Sequence, residues 1–410
     1  MAPGSEKRLH QLLGFGIWTA DKTKQASVPA LQLSAEGSAS APSTSLKHSA
    51  GTSNALVKAS KFLDTLPVSG VVTMTQRRSL DRYLAFIERR GIHRVEDHEA
   101  TAFEGTEETW DLIRLAAARA KSVYQDTPLS SQDTILRPSN DSKKVSISLD
   151  ERPNNNSVLV VAIRGTTSYY DWLVNLNGDP APPTVATSSA DSSQTYHSGF
   201  LSVATRMQDA VASAVSEKLS TMVNCPRNVN LLLTGHSAGG AVAKLLYAMA
   251  SWPDSPFARV ISKFSHVHCI TFGSPPVAAP PLPHPQFTPF QSGLFLNIVN
   301  EGDPIALAYQ DYIQFLLQCF VNAQRPDMDR SEMGELPLPV LRLSGTCIVL
   351  RDVSDTLEHV DWRAATVQPE ILERKLFGNP VAHHMATYVK AIEASHLASA
   401  EISEQLGAKN

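Results

Sequence analysis

Apolar runs of strand length, alternating with helical stretches, predict an α/β fold with a mainly parallel sheet flanked by helices. Two observations carry this. Residues 158–163 (Val-Leu-Val-Val-Ala-Ile) form a continuous, β-branched apolar run of the kind buried on both faces of a sheet. Comparable runs recur around Leu231, at residues 267–272, at 294–299 and at 341–350, most of them separated by helical periodicity.

The chain opens differently. Residues 1–53 read as a low-complexity, disordered tail, because Ser, Ala, Thr, Pro and Gly crowd residues 34–53. Residues 54–108 read as a helical amino-terminal extension, in which Leu80, Tyr83, Leu84 and Ile87 recur at three- and four-residue steps. The main domain is expected over residues 109–400, with a short tail over 401–410. It begins with a second long helix carrying Trp110, Ile113 and Leu115 and ending near Tyr124. An alternating strand at 145–149 and an Asn154-Asn155-Asn156 turn lead into the central run. A further amphipathic helix spans residues 200–219, with Leu201, Val203, Met207, Val211, Val215 and Leu219 at helical spacing.

Bulk properties exclude several function classes. The 410 residues are 42% hydrophobic and 19% charged, which describes a globular chain rather than a disordered one. A net charge of -4 leaves no basic footprint for nucleic acid. No apolar run is long enough for a transmembrane anchor. Lys7 and Arg8 precede only a brief, glycine-interrupted apolar patch ending before Asp21, which argues against a secretory signal. Of the four cysteines, Cys269, Cys319 and Cys347 lie in apolar runs and Cys225 does not; none shows metal-ligand spacing. Buried free thiols in a reducing compartment are expected. The expected location is therefore cytoplasmic rather than secreted, and no metal is expected.

The chemistry centres on Gly235-His236-Ser237-Ala238-Gly239. The apolar run before it and the helix formers at 241–250 after it describe a nucleophile elbow, a strand turning sharply into a helix with Ser237 at the tip. In a parallel sheet, ligands bind beyond the carboxyl ends of the strands. Asp303 follows the 294–299 run, and His383 and His384 stand at the start of a late helix carrying Met385 and Tyr388. A serine hydroxyl needs a base in contact, the base needs a carboxylate, and the oxyanion needs two N–H donors. Ala238 can supply one donor, and the Gly165-Thr166 strand end can supply the other.

Six blocks occur together: Val160-Val-Ala-Ile-Arg-Gly-Thr166, His197-Ser-Gly-Phe200, Thr234-Gly-His-Ser-Ala-Gly-Gly240, Thr271-Phe-Gly-Ser-Pro275, Asn300-Glu-Gly-Asp-Pro304 and His383-His-Met-Ala-Thr-Tyr388. In this order they resemble the class 3 lipases, a fungal-lipase-like family of the α/β-hydrolase fold. The resemblance covers residues 109–388. It implies hydrolysis of acylglycerol or phospholipid esters without a cofactor, at a place peripheral to membranes or lipid droplets. It also implies Ser237 as nucleophile, Asp303 as acid, His383 as base, and Thr166 and Ala238 as oxyanion residues. The family places a short lid after the first oxyanion residue, where Tyr169, Tyr170, Trp172, Leu173 and Leu176 have the amphipathic content to meet a lipid surface transiently.

Other readings stand beside these. Ser237 as a mere turn serine is outweighed by the surrounding blocks. Asp311, Asp352 and Asp355 are rivals of Asp303, and His384 and His359 of His383; the resemblance favours His383, whose five-residue step to Tyr388 matches the family's His-x-x-x-x-Tyr ending. His197, His266, His268 and His284 read as solvated or capping residues, and His236 as packing support. The alternative functions are an esterase for a soluble, non-lipid ester and a non-catalytic lipase-like scaffold.

Overall fold

The computed structural model describes residues 74–125, 130–137, 143–152, 156–166, 180–181, 194–221, 228–325, 334–354 and 361–407. The first half contains α1 (Met74–Glu88), β1 (Ala100–Ala102), α2 (Glu107–Ser122), β2 (Thr134–Leu136), β3 (Val145–Asp150), β4 (Asn156–Ile163), β5 (Pro180–Ala181), β6 (Thr195–His197) and α3 (Ser198–Ser220). The second contains β7 (Asn228–His236), α4 (Ala238–Ala250), α5 (Ala258–Ile261), β8 (Val267–Phe272), β9 (Ala278–Ala279), β10 (Phe295–Asn300), α6 (Gln310–Ala323), β11 (Thr346–Asp352), β12 (Trp362–Val367), α7 (Pro369–Leu372) and α8 (Met385–Gly407).

Nine strands form one sheet in the order β1-β12-β11-β10-β8-β7-β4-β3-β2. The five central strands, β11, β10, β8, β7 and β4, pair in parallel. Antiparallel strands close both sides, β3 and β2 on one and β12 and β1 on the other. The mainly parallel sheet expected from the apolar runs is therefore present. Because successive strand residues face opposite ways, β4 sends Val158 and Val160 to one face and Leu159 and Val161 to the other. Trp110 and Ile113 of α2 and Tyr388 and Ile392 of α8 pack on the first face. Residues of α1, α3, α4 and α6 pack on the second.

Local signals set the helix starts. The Thr106 side chain accepts the Thr109 N–H to cap α2, with Glu107 and Glu108 in the first turn and Arg119 and Lys121 in the last. His197 caps α3 in the same way, its side chain accepting the Phe200 N–H. All thirteen residues of α4 are buried, as expected of a helix that is apolar on nearly every side. Its exception is Lys244, whose Nζ donates to Asn297 Oδ1 at 3.0 Å and whose amine burial pushes down to about 8. Cys269, Cys319 and Cys347 are buried free thiols.

Three features depart from the sequence-based expectation. The run at 341–350 is not one strand: Gly345 takes φ +81° and β11 begins only at Thr346. The extension is not helical throughout, since β1 lies within it and joins the sheet as an edge strand against β12. His268 is neither solvated nor a cap; it is buried, and its Nδ1 accepts the Leu294 N–H.

Candidate active site

The elbow forms where β7 passes into α4. Ser237 has φ +59° and ψ -134°, and among the described residues it is the only non-glycine at positive φ. Such a backbone costs on the order of 1–3 kcal/mol and persists only where its surroundings enforce it. Here the enforcement is visible. A Cβ on Gly239 would stand 2.1 Å from the Ile163 carbonyl oxygen of β4, so only glycine lets the helix approach that strand. Although Ser237 occupies the N-cap position, its side chain makes no capping bond. A turn serine would use that hydroxyl on its own helix; this one does not.

Asp303 and His383 come together from separate elements. Asp303 closes a tight turn after β10, with its N–H donating to Asn300 O and Gly302 at φ +91°. His383 ends a 3-10 turn, Pro380–His383, just before α8. The His383 Nδ1–H donates to Asp303, 2.9 Å from Oδ2 and 3.0 Å from Oδ1. The carboxylate accepts two further bonds, from Ile305 N–H to Oδ1 at 2.8 Å and from the Tyr388 hydroxyl to Oδ2 at 2.5 Å. Tyr388 Oη itself accepts the Asn300 N–H. A carboxylate can only accept, so Nδ1 of the neutral ring carries the proton and Nε2 keeps its lone pair. Asp303 is fully buried.

The two halves of the site meet at the end of β8. The Ser237 N–H donates to Phe272 O at 3.0 Å. A Cβ on the next residue, Gly273, would lie 2.5 Å from Asp303 Oδ2 and 3.0 Å from His383 Nδ1. The structure thus gathers Ser237, Asp303 and His383 around the Phe272–Gly273 backbone. His384 makes no such contact with Asp303; its N–H returns to Val381 O. The rival carboxylates lie elsewhere: Asp311 is exposed in the first turn of α6, and Asp352 Oδ1 accepts from Ser354. Asp355, His359 and Cys225 fall outside the described residues.

Thr166 follows Gly165, where a Cβ would stand 3.2 Å from Ser237 Cβ, so the end of β4 lies directly beside the elbow. Thr166 Oγ1 accepts from Lys143 Nζ at 3.2 Å. Ala238 is buried as the first residue of α4. The lid residues expected from the sequence, Tyr169, Tyr170, Trp172, Leu173 and Leu176, lie outside the described residues.

Three side chains have roles that sequence reasoning misses. His236 does more than pack: its ring lies 4.4 Å from the His383 ring, Nε2–H donates to His383 O at 2.7 Å, and Nδ1 accepts from the Tyr124 hydroxyl at 3.0 Å. A carbonyl on one side fixes this tautomer, so Tyr124 must be the donor on the other. Tyr388, marked in the sequence only by its spacing from His383, ties the carboxylate to β10. The elbow block could have pointed to His236, because the residue before the serine must lie at the strand end. Nothing local marks Tyr124, 112 residues away.

Burial holds several imidazoles neutral. It pushes His236 well below its usual value, His197 and His268 to about 4, and lowers His93 and His384. The unfolded chain protonates these rings near 6.5 while the native state does not, so it binds more protons below that pH. Stability is therefore expected to fall as pH drops from about 6.5 toward 4, seen as a falling urea midpoint. His197→Asn, which can still cap α3, should flatten that slope. An unchanged slope would refute the assignment for His197.

Among the described residues no group of three or more His, Cys, Asp or Glu is placed to hold a metal ion, and no helix is long and apolar enough to cross a membrane. Among solved structures the chain is similar to the Rhizomucor miehei lipase in its propeptide complex, at 16% identity and TM-score 0.44, covering 69% of this chain and 81% of that one. It is also similar to the lipase of Rhizopus microsporus var. chinensis (15%, TM-score 0.43, 71% and 90% covered) and to a triacylglycerol lipase of Penicillium expansum (13%, TM-score 0.39, 69% and 100% covered). No curated protein matches the chain. The family described as Lipase (class 3) matches residues 160–311, a span that holds the end of β4, the elbow and Asp303 and ends before His383. The family matched over residues 160–311 is thus the one that the sequence blocks of this chain resemble.

Proposed function

We propose that this chain is a serine hydrolase that cleaves carboxylic esters of lipids through an acyl-enzyme. In this reading Ser237 Oγ attacks the ester carbonyl carbon while its proton passes to His383 Nε2. The tetrahedral intermediate collapses, the imidazolium returns that proton to the leaving alkoxide, and the alcohol departs. Water, deprotonated by the same nitrogen, then attacks the acyl-enzyme; the second tetrahedral intermediate expels Ser237 Oγ, which takes the proton back from the imidazolium as the acid leaves. Asp303 keeps the proton on Nδ1 and stabilises the imidazolium. The N–H groups of Thr166 and Ala238 are the proposed oxyanion donors, Ala238 at a helix start where N–H groups have no intrahelical partner.

One observation carries the reading: a strained, uncapped serine is fixed through its N–H to Phe272 O, and the next residue, Gly273, packs against a histidine whose Nδ1–H is committed to a buried carboxylate. The class 3 lipase match supports a lipid ester as substrate, and mono- or diacylglycerols or phospholipids are the proposed class. A fluorophosphonate probe is expected to label the purified protein at Ser237, and Ser237→Ala should abolish both labelling and hydrolysis. Folded wild-type protein that stays unlabelled would sink the proposal. Faster turnover of a soluble short-chain ester than of an emulsified long-chain one would instead favour the soluble-ester reading.

A further inference from the structure

The turn that carries Asp303 and the loop that carries His383 are gripped by one segment, residues 74–99, which lies before the family-matched span. In the Asp303 turn, which starts at Asn300, Glu301 is the first corner. Its Oε1 accepts the Val95 N–H at 2.8 Å and lies 3.6 Å from Arg351 Nε. Both charged side chains are largely buried, with 12% and 13% exposed. Arg351 Nη2 donates to Val95 O at 2.6 Å and to Asp97 Oδ1 at 3.0 Å. The backbone of residue 95 is thus held through both its N–H and its C=O, and the acid turn is tied to it.

The His383 loop is laced to the same segment. Lys375 Nζ pairs with Glu99 Oε2 at 2.5 Å, and the Leu376 N–H donates to Ile92 O at 2.9 Å. Tyr83 of α1 wedges in below. With Pro304, Gly378 and Pro380 it lines one small cavity, so it faces residues flanking both the acid and the base. A Cβ on Gly378 would stand 2.8 Å from Tyr83 Oη, which shows how closely the loop approaches α1. The turn and the loop also meet each other: Asn379 N–H donates to Gly302 O, and Asn300 Nδ2 donates to Ala382 O at 2.8 Å. Ordinary packing needs none of these buried charges, since an apolar contact of similar volume would be as stable. Hydrogen bonds at defined angles instead hold a geometry, and displacement of a reacting group by about 1 Å costs on the order of 10²-fold in rate.

We propose that residues 74–99 form a brace that sets the Asp303–His383 pair, with Glu301 and Tyr83 as positioning residues of the reaction. This rests on the hydrolase reading above, and the test separates the two. Four variants are compared with wild type: Glu301→Ala, Tyr83→Ala, Glu301→Gln and, as a stability control, Val215→Ala, which is buried in α3. The measurements are kcat and KM on a soluble p-nitrophenyl ester, and the far-downfield proton resonance of the His383 Nδ1–H bond to Asp303. Glu301→Ala and Tyr83→Ala are expected to lower kcat by about 10-fold or more, with KM nearly unchanged, and to broaden or erase the resonance. Glu301→Gln keeps an acceptor for the Val95 N–H and should recover most of kcat. Val215→Ala should lower Tm while keeping kcat and the resonance. Wild-type kcat and an intact resonance in both alanine variants would overturn the brace. If wild type escapes the fluorophosphonate probe yet the resonance is lost in those variants, the hydrolase reading fails and the brace stands.

Discussion

Replacing Asp303 by Asn is expected to lower kcat by about 10³- to 10⁴-fold while leaving the fold intact. The carboxylate accepts three bonds, from His383, Tyr388 and Ile305. An amide of the same shape has one acceptor and one donor end. With its donor end toward His383, the ring would shift its proton from Nδ1 to Nε2 and lose the lone pair that receives the serine proton. With its donor end toward Tyr388, it would meet a hydroxyl now turned from donor to acceptor and disturb the bond to Asn300. His383→Ala should cost at least about 10³-fold by removing the base outright. His384→Ala should cost far less, because that ring has no hydrogen bond to Asp303. Steady-state rates on one soluble ester check all three. A His384→Ala loss as large as that of His383→Ala would refute the assignment of the base.

Gly273→Ala is expected to lower activity by about 10²-fold or more with only a modest loss of stability. Gly273 has φ +52°, where a side chain costs about 1 kcal/mol. The atoms its methyl would meet are Asp303 Oδ2 at 2.5 Å, the Tyr388 hydroxyl oxygen at 2.9 Å and His383 Nδ1 at 3.0 Å. These are the atoms of the acid–base pair itself, so relief of the clash must pull the pair apart. Thermal melting and turnover measured together separate this from simple unfolding. A variant with near-wild-type kcat would show that the pair tolerates such a displacement. Gly239 makes the contrast, since its methyl would strike the β4 backbone and is expected to disturb folding first.

Much of this arrangement is legible in the residues alone. Apolar runs mark the five central strands because a parallel strand buried on both faces must be apolar throughout, and β8 falls on the residues expected for it, 267–272. Edge strands carry no such mark. β1 has three half-exposed or exposed residues, and most of β12 is half-buried, so neither shows a continuous run or clean alternation. The elbow is legible because its glycines answer a local steric demand.

The residues in their order thus specify a set of parts: strands of an α/β sheet, a Gly-flanked serine between strand and helix, an aspartate after a later strand and two adjacent histidines near the end. How those parts meet is a matter of packing. Strand order brings the ends of β7, β8 and β10 side by side, and a one-residue difference in a 3-10 turn puts His383 rather than His384 on Asp303. Packing also recruits Tyr124 to His236 and residues 74–99 to the Asp303 turn. Periodicity and spacing report which face of its own element a residue occupies. Contacts between distant elements depend on how those faces dock, which leaves no mark in either segment alone.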